Sequence, residues 1–219
     1  YSGTSHGLSA SVLAGEDGHM QRDYAFHSAR HLRDLEAPEQ IGRKAGDRAV
    51  ARMNPVKLKS GPMSVVFDPR VGNSLLGHLA GAIMGSAIAR KTSFLLDRLD
   101  QPVFAPGVHV IDDPLRVRGL RSRPFDGEGL ETHRTDIIRE GVLTGWLIES
   151  ASGRQLGLPP TGHATRGGGG TPGTGTTNLH MAAGAVSPAA LMADIKYGIY
   201  VNELIGMGVN GLTGDYSRG

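Results

Sequence analysis

The sequence predicts an α+β protein: a Gly-rich antiparallel β-sheet domain with a few packed helices, preceded by a mixed region of strands and one amphipathic helix. Three observations lead there. Glycine supplies 33 of the 219 residues, about twice its average usage, which implies many tight turns and close backbone contacts. Short apolar runs separated by turn residues fill the stretch from Val103 to Leu147, the pattern of a strand meander. Apolar residues at helical spacing, by contrast, are confined to a few segments with their own start signals.

Residues 5–27 alternate small polar and apolar residues in Gly-punctuated runs, as short antiparallel strands and their turns do. Pro38 then opens a helix, with Ile41, Ala45, Ala49, Val50 and Met53 at helical spacing. The segment NPVKLKSGP (54–62) has the composition of a linker, and a domain boundary is expected there, between residues 1–55 and residues 62–219. Met63 to Phe67 reads as a short buried strand ended by Asp68-Pro69. A helix from Leu75 to Lys91 is expected next, N-capped by Asn73 or Ser74, with Gly81 and Gly85 four apart as close-approach points. After the meander, RGGGGTPGTGTT (166–177) is a low-complexity surface loop. Ser187-Pro188 starts a helix running through Leu191, Met192, Ile195 and Tyr197, with Gly198 at its C-terminus. Ile199 to Ile205 returns to strand, and the Gly-rich end suits strands that bend or lie against another backbone.

Composition excludes several function classes. With 23 basic and 21 acidic residues, a formal net charge of +2 and 5% aromatics, the chain lacks the basic excess and stacking groups of a nucleic-acid binder. The alternating Arg116, Arg118, Arg121 and Arg123 are expected to line strand faces as solvated or subunit-contact residues. No cysteine is present, so disulfides and thiolate chemistry are excluded within these residues. No apolar run reaches the ~18 residues that span a membrane, and the N-terminal residues do not form a secretory signal. Beginning on Tyr1 and ending on Ser217-Arg218-Gly219, the chain is expected to be a piece of a longer polypeptide.

Local motifs give little chemistry. His27 and His31 are four apart and would share one helix face, but Ser28 stands where a zincin needs glutamate. Asp112-Asp113 and Asp126-Gly127-Glu128 offer paired carboxylates, and tight-turn chemistry accounts for both. Gly170 to Thr177 lacks the lysine of a phosphate loop. No serine sits in a G-x-S-x-G elbow.

Longer blocks are more specific. ELIGMGVNGLTGDYSRG (203–219), DDPLRVRGLRSRPFDGEG (112–129), EGVLTGWLIESASGRQLGLPPTGHATR (140–166), TNL (177–179) and SPAALMADIKYGIYV (187–201) occur in the order and spacing of the TldD/PmbA family, also called the modulators of gyrase. The chain resembles that family over essentially its whole length. The resemblance implies that residues 1–55 are the end of the family's middle region and 62–219 its C-terminal domain, truncated.

In this family, TldD-type subunits resemble zinc metallopeptidases, with HExxxH on a helix and a cysteine near the C-terminus. The corresponding helix here reads LLGHLAGAIMGSAIARK (75–91). One register puts Gly77 and Ala82 at the ligand positions with His78 at the glutamate position; slipping by one offers His78 and Ile83, with Leu79 between. Neither supplies HExxxH, so the chain is similar to the PmbA/TldE-type subunit, with no catalytic or metal residues of its own and zinc expected in a TldD-type partner. The resemblance implies a cytoplasmic heterodimeric peptidase, or a homodimer, acting on short unstructured peptides, with no nucleic acid or membrane involved. Gly206, Gly208, Asn210, Gly211 and Asp215 are the candidate peptide-binding residues, by main-chain pairing along a strand edge. On that reading Gly208→Val weakens cleavage by the complex. The alternatives are an autonomous peptidase built on His163, His180 or Asp215, and a homodimeric peptide-binding scaffold without enzymatic function.

Overall fold

The computed structural model describes residues 3–206 and 208–218. Met207 and Gly219, both within the terminal block singled out above, lie outside them. The chain forms two compact units, Tyr1–Gly61 with Val117–Leu120, and Pro62–Arg116 with Arg121–Gly219.

In the first unit, β1 (His6–Ala14) and β2 (Gln21–Ala29) pair antiparallel over their whole length, with His6 opposite Ala29 and Ala14 opposite Gln21. Strict alternation of half-buried and exposed positions along β1 leaves one face for a covering element. That element is α1 (Pro38–Ala51), started by proline at its first position. Ile41, Ala45 and Ala49, spaced four apart on one helix face, are buried, and Ile41 and Ala45 pack with Ala25, Leu8, Ala10 and Val12 of the hairpin. Val50, counted in the predicted stripe, is exposed. His27 lies on β2 and His31 flanks a single 3-10 turn, so the two never share a helix face. His27 Nδ1 instead accepts the Glu36 amide at 3.2 Å.

Val117–Leu120 is held to this unit by two arginines. Arg118 donates to both Asp34 oxygens at 2.9 and 3.0 Å, and Arg30 donates to the Gly119 carbonyl at 3.3 Å and to that of Leu120. Residues 114–121 run through successive turns, with Arg118 at φ +59°. The arginines therefore do not alternate on a strand. Pro114 and Gly119 break the extension that their spacing suggested.

The second unit runs β3 (Ser64–Phe67), α2 (Pro69–Ala82), α3 (Gly85–Ala89), β4 (Val110–Asp112), β5 (Thr135–Arg139), β6 (Val142–Leu143), α4 (Ser150–Leu156), β7 (Ala164–Thr165), β8 (Gly173–Thr174), β9 (Leu179–Met181), α5 (Pro188–Ala193), β10 (Gly198–Val201), β11 (Gly208–Val209) and β12 (Tyr216–Ser217). Its main sheet is antiparallel in the order β6-β5-β4-β9. Smaller pairs are β3 with β10, which is parallel, and the antiparallel β7-β8 and β11-β12. The core packs Leu79, Ala82 and Ile83 against Val110, Ile138, Leu143, Trp146 and Leu147. Among the described residues no helix is long and apolar enough to cross a membrane.

Four local expectations are corrected here. β3 is mostly exposed rather than buried, because its only strand partner among the described residues is β10. α2 begins at Pro69, not near Leu75, and its cap is Asp68, whose side chain accepts the Arg70 amide at 2.8 Å. Asp-Pro thus starts a helix here as well as ending a strand. The expected single helix to Lys91 breaks at Met84, which turns extended and bridges to Leu147. Leu147 N donates to Ile83 O at 2.9 Å and Gly85 N to Leu147 O at 2.7 Å, so tertiary pairing overrides helix continuity. Finally, α5 stops at Ala193 and Gly198 begins β10 rather than capping the helix. A Cβ at Gly198 would stand 2.7 Å from Ser64 O, which is why this strand pair needs glycine there.

Candidate functional site

α2 has two unlike faces. Val71, Leu79, Ala80 and Ala82 are buried, while Ser74, Gly77, His78 and Gly81 border a cavity of about 540 Å³, together with Ala82, Thr92, Phe94, Val209, Gly211 and Arg218. Positions 74, 77, 78 and 81 fall on one side of a helix because 3.6 residues make a turn. A Cβ built on Gly77 or Gly81 meets no atom within 4 Å. The helix therefore presents bare backbone to this space. The volume falls within the range of small-ligand sites.

The far wall is the β11-β12 hairpin. Phe94 N donates to Gly211 O at 3.0 Å, and the Phe94 ring lies 3.1 Å from where a Gly214 Cβ would be, at a residue whose φ is +81°. Asn210 shapes the connecting loop: its Oδ1 accepts the Leu212 and Thr213 amides at 2.9 and 3.3 Å, and Thr213 Oγ1 donates to Asp215 Oδ2 at 2.6 Å. Arg218 donates through Nε to Gly206 O at 2.8 Å, and through Nη2 to the same oxygen. Among the described residues no carboxylate lies within ion-pair distance of this guanidinium.

Of the five peptide-binding candidates, Gly211 alone lines the cavity. Asn210 and Asp215 hold the loop, and the Gly206 carbonyl holds Arg218. Gly208 is packed so closely that a Cβ would stand 2.1 Å from Ser217 O. Gly208→Val would break the hairpin, so it does not isolate peptide binding. Sequence reasoning passed over Phe94, Thr92 and Arg218. Nothing local marks them, since they meet only when the hairpin folds back on α2.

His78 Nε2 is buried with no hydrogen-bond partner, and the ring packs edge-on to Tyr216 with centroids 5.9 Å apart. Both HExxxH registers can now be placed. Gly77, His78 and Ala82 all border the cavity, whereas Leu79 and Ile83 belong to the core.

A second polar cluster is structural. Asp112, fully buried on β4, accepts the Thr177 amide at 2.9 and 3.0 Å and the Thr177 hydroxyl at 2.8 Å, with His163 Nε2 3.4 Å away. Burial pushes its pKa up, but the hydrogen bonds from His163 and from the Thr177 amide and hydroxyl outweigh this and hold the carboxyl below its ordinary value. His163 Nδ1 lies 2.9 Å from Thr161 Oγ1, which also accepts the Ile148 amide at 2.8 Å. Every group in the chain is engaged, so it ties β4 to the later loops. Asp112 is therefore not a turn residue. Asp113 and Asp126 are, with Oδ1 of each accepting amides two residues on, at Leu115 and Glu128. Glu149, desolvated at the start of α4, is nonetheless held below the usual carboxylate range by Ser152 and Thr174 hydroxyls at 2.6 Å each. His180 rests on Asn178 O at 2.9 Å. His163, His180 and Asp215 thus each serve a different neighbour.

Family models place this two-unit α+β chain. Residues 60–219 match the family model described as the PmbA/TldA metallopeptidase C-terminal domain, and residues 1–53 that of its central domain. The chain belongs to the PmbA/TldD family.

It is 41% identical over its whole length to the metalloprotease PmbA of Escherichia coli O157:H7, covering 47% of that protein. In Haemophilus influenzae it is 36% identical to a metalloprotease PmbA homolog, covering 47% of it, but only 25% identical to a metalloprotease TldD homolog, covering 45%. A Bacteroides thetaiotaomicron protein named as a modulator of DNA gyrase superposes with TM-score 0.87 at 30% identity, over 98% of this chain and 46% of that one. The chain thus spans about half the length of the relatives it matches.

The described residues around this cavity do not assemble a zinc ligand set. A catalytic zinc takes about three protein ligands, whereas the cavity face of α2 offers one imidazole flanked by Gly77 and Ala82. Among the described residues no group of three or more His, Cys, Asp or Glu could hold a metal ion.

Proposed function

We propose that this chain is part of a PmbA/TldE-type subunit of a cytoplasmic TldD/TldE metallopeptidase that cleaves short unstructured peptides, in peptide precursor maturation or antitoxin-like degradation. A TldD-type partner carries the zinc. This subunit contributes enclosure and peptide binding at the α2 cavity. One observation supports the reading: the cavity-facing stretch of α2 holds Gly77, His78 and Ala82, and neither register of the resemblance puts an HExxxH set on this helix. The higher identity to PmbA-named than to TldD-named relatives points the same way.

The test is elemental analysis of the full-length protein, alone and mixed with its TldD-type partner, with peptide cleavage followed in parallel. Zinc and cleavage are expected only when the partner is present. Stoichiometric zinc in this protein alone would overturn the reading and favour an autonomous metallopeptidase.

A further inference from the structure

The α2 cavity has features that a merely vestigial site does not require. Its lining is predominantly apolar, through Gly77, Gly81, Ala82, Phe94 and Val209. One fixed cation stands at it. Arg218 also borders the cavity, and its guanidinium is fixed by one carbonyl, that of Gly206, which leaves Nη1 and the positive charge without a counter-ion among the described residues. His78 also lines it. An apolar chamber with a fixed guanidinium on its wall is complementary to an apolar side chain carrying a carboxylate.

We propose that this cavity is a subsite for the C-terminal residue of an extended peptide, its carboxylate at Arg218 and its apolar side chain against the bare face of α2 and the Phe94 ring. The assignment rests on the subunit reading above for the choice of a peptide as ligand. Gly77 and Gly81 are what make room: any larger residue there would occupy the space the side chain needs. Peptides would then be held by their free end, which favours short substrates over internal segments of folded proteins.

The test uses the full-length protein without its partner and two probes, acetyl-Ala-Ala-Phe with a free carboxylate and the same tripeptide as its C-terminal amide, titrated by calorimetry. The free acid is expected to bind about tenfold more tightly than the amide, the worth of one charge-assisted hydrogen bond. Arg218→Gln should erase that preference. Gly81→Leu, which fills the cavity, should weaken the free acid by about tenfold or more. If circular dichroism shows that Gly81→Leu fails to fold, Gly77→Leu repeats the test from an exposed position. Equal binding of acid and amide, no effect of filling the cavity, or no binding to the full-length protein because its further residues occupy the space would each overturn the proposal. No zinc and no partner enter these titrations, so such a failure leaves the subunit reading standing, whereas zinc in this protein alone overturns that reading whatever the peptide does.

Discussion

His163 and His78 belong to the same unit, and the contrast between them separates what holds this fold from what it can do. His163 stands between Asp112 and Thr161 in a chain where every polar atom has a partner. His78 borders a cavity with a buried nitrogen that has none. Folding selects the first arrangement, because an unpaired buried polar group costs about 1–3 kcal/mol. The second persists beside a space that something else can enter. Satisfied polar clusters are thus structural by default, and an unsatisfied one on a cavity wall is where binding should be sought.

The most severe way to test that contrast is to break the satisfied cluster. Asp112→Ala would leave the Thr177 amide and hydroxyl unpaired in the core, and a loss of about 3 kcal/mol in unfolding free energy is expected, measured by urea denaturation. The same carboxyl gives a pH signature. Its folded pKa lies below the ordinary value, so its stabilisation is fully present above the unfolded-state pKa of about 3.9 and is lost as pH falls through the folded one. Asp112→Ala should remove that part of the acid limb. An unchanged acid limb would mean that Asp112 is not the anchor described here.

Two glycines four residues apart sharpen the comparison. A Cβ at Gly85 would lie 2.8 Å from Ser152 Cβ and 3.2 Å from Leu147 O, while one at Gly81 meets nothing within 4 Å. Gly85→Ala should therefore destabilise by about 1–3 kcal/mol through overpacking. Gly81→Ala, inside α2, should stabilise by up to about 1 kcal/mol through helix propensity. Opposite signs in thermal melts would confirm that the first glycine serves packing and the second leaves a cavity open. The sequence pairs them as equivalent close-approach points, and only the fold distinguishes them.

That difference marks what was legible beforehand. Elements encoded within a few residues were readable: the alternating hairpin, the Ile41-Ala45-Ala49 stripe of α1, and the Ser187-Pro188 start of α5, where Ser187 Oγ accepts the Ala190 amide at 3.2 Å. Features made by distant pairing were not. Met84 leaves the helix because Leu147, far along the chain, takes its neighbours' hydrogen bonds. Asp112 looked like turn chemistry because Thr177 and His163 reach it only in the folded sheet. At the site, the α2 residues were visible as a motif, since Gly77, His78 and Ala82 are close in sequence. Arg218 and Phe94 were invisible as site residues because only folding brings them to α2.

The smallest expected effect concerns His78 itself. Because Nε2 has no partner to lose, His78→Phe removes no hydrogen bond of that nitrogen and keeps an aromatic ring against Tyr216, 5.9 Å away in the present structure. Stability should hold or rise by up to about 1 kcal/mol, because the change removes a buried nitrogen that has no partner. The corresponding His163→Phe should cost at least about 1 kcal/mol, because it takes one buried partner each from the Asp112 carboxylate and the Thr161 hydroxyl. Both are read from chemical denaturation at neutral pH. If His78→Phe proved as costly as His163→Phe, the imidazole beside the cavity would be a structural tie like the other, and the division between an anchoring histidine and an unengaged one would fall.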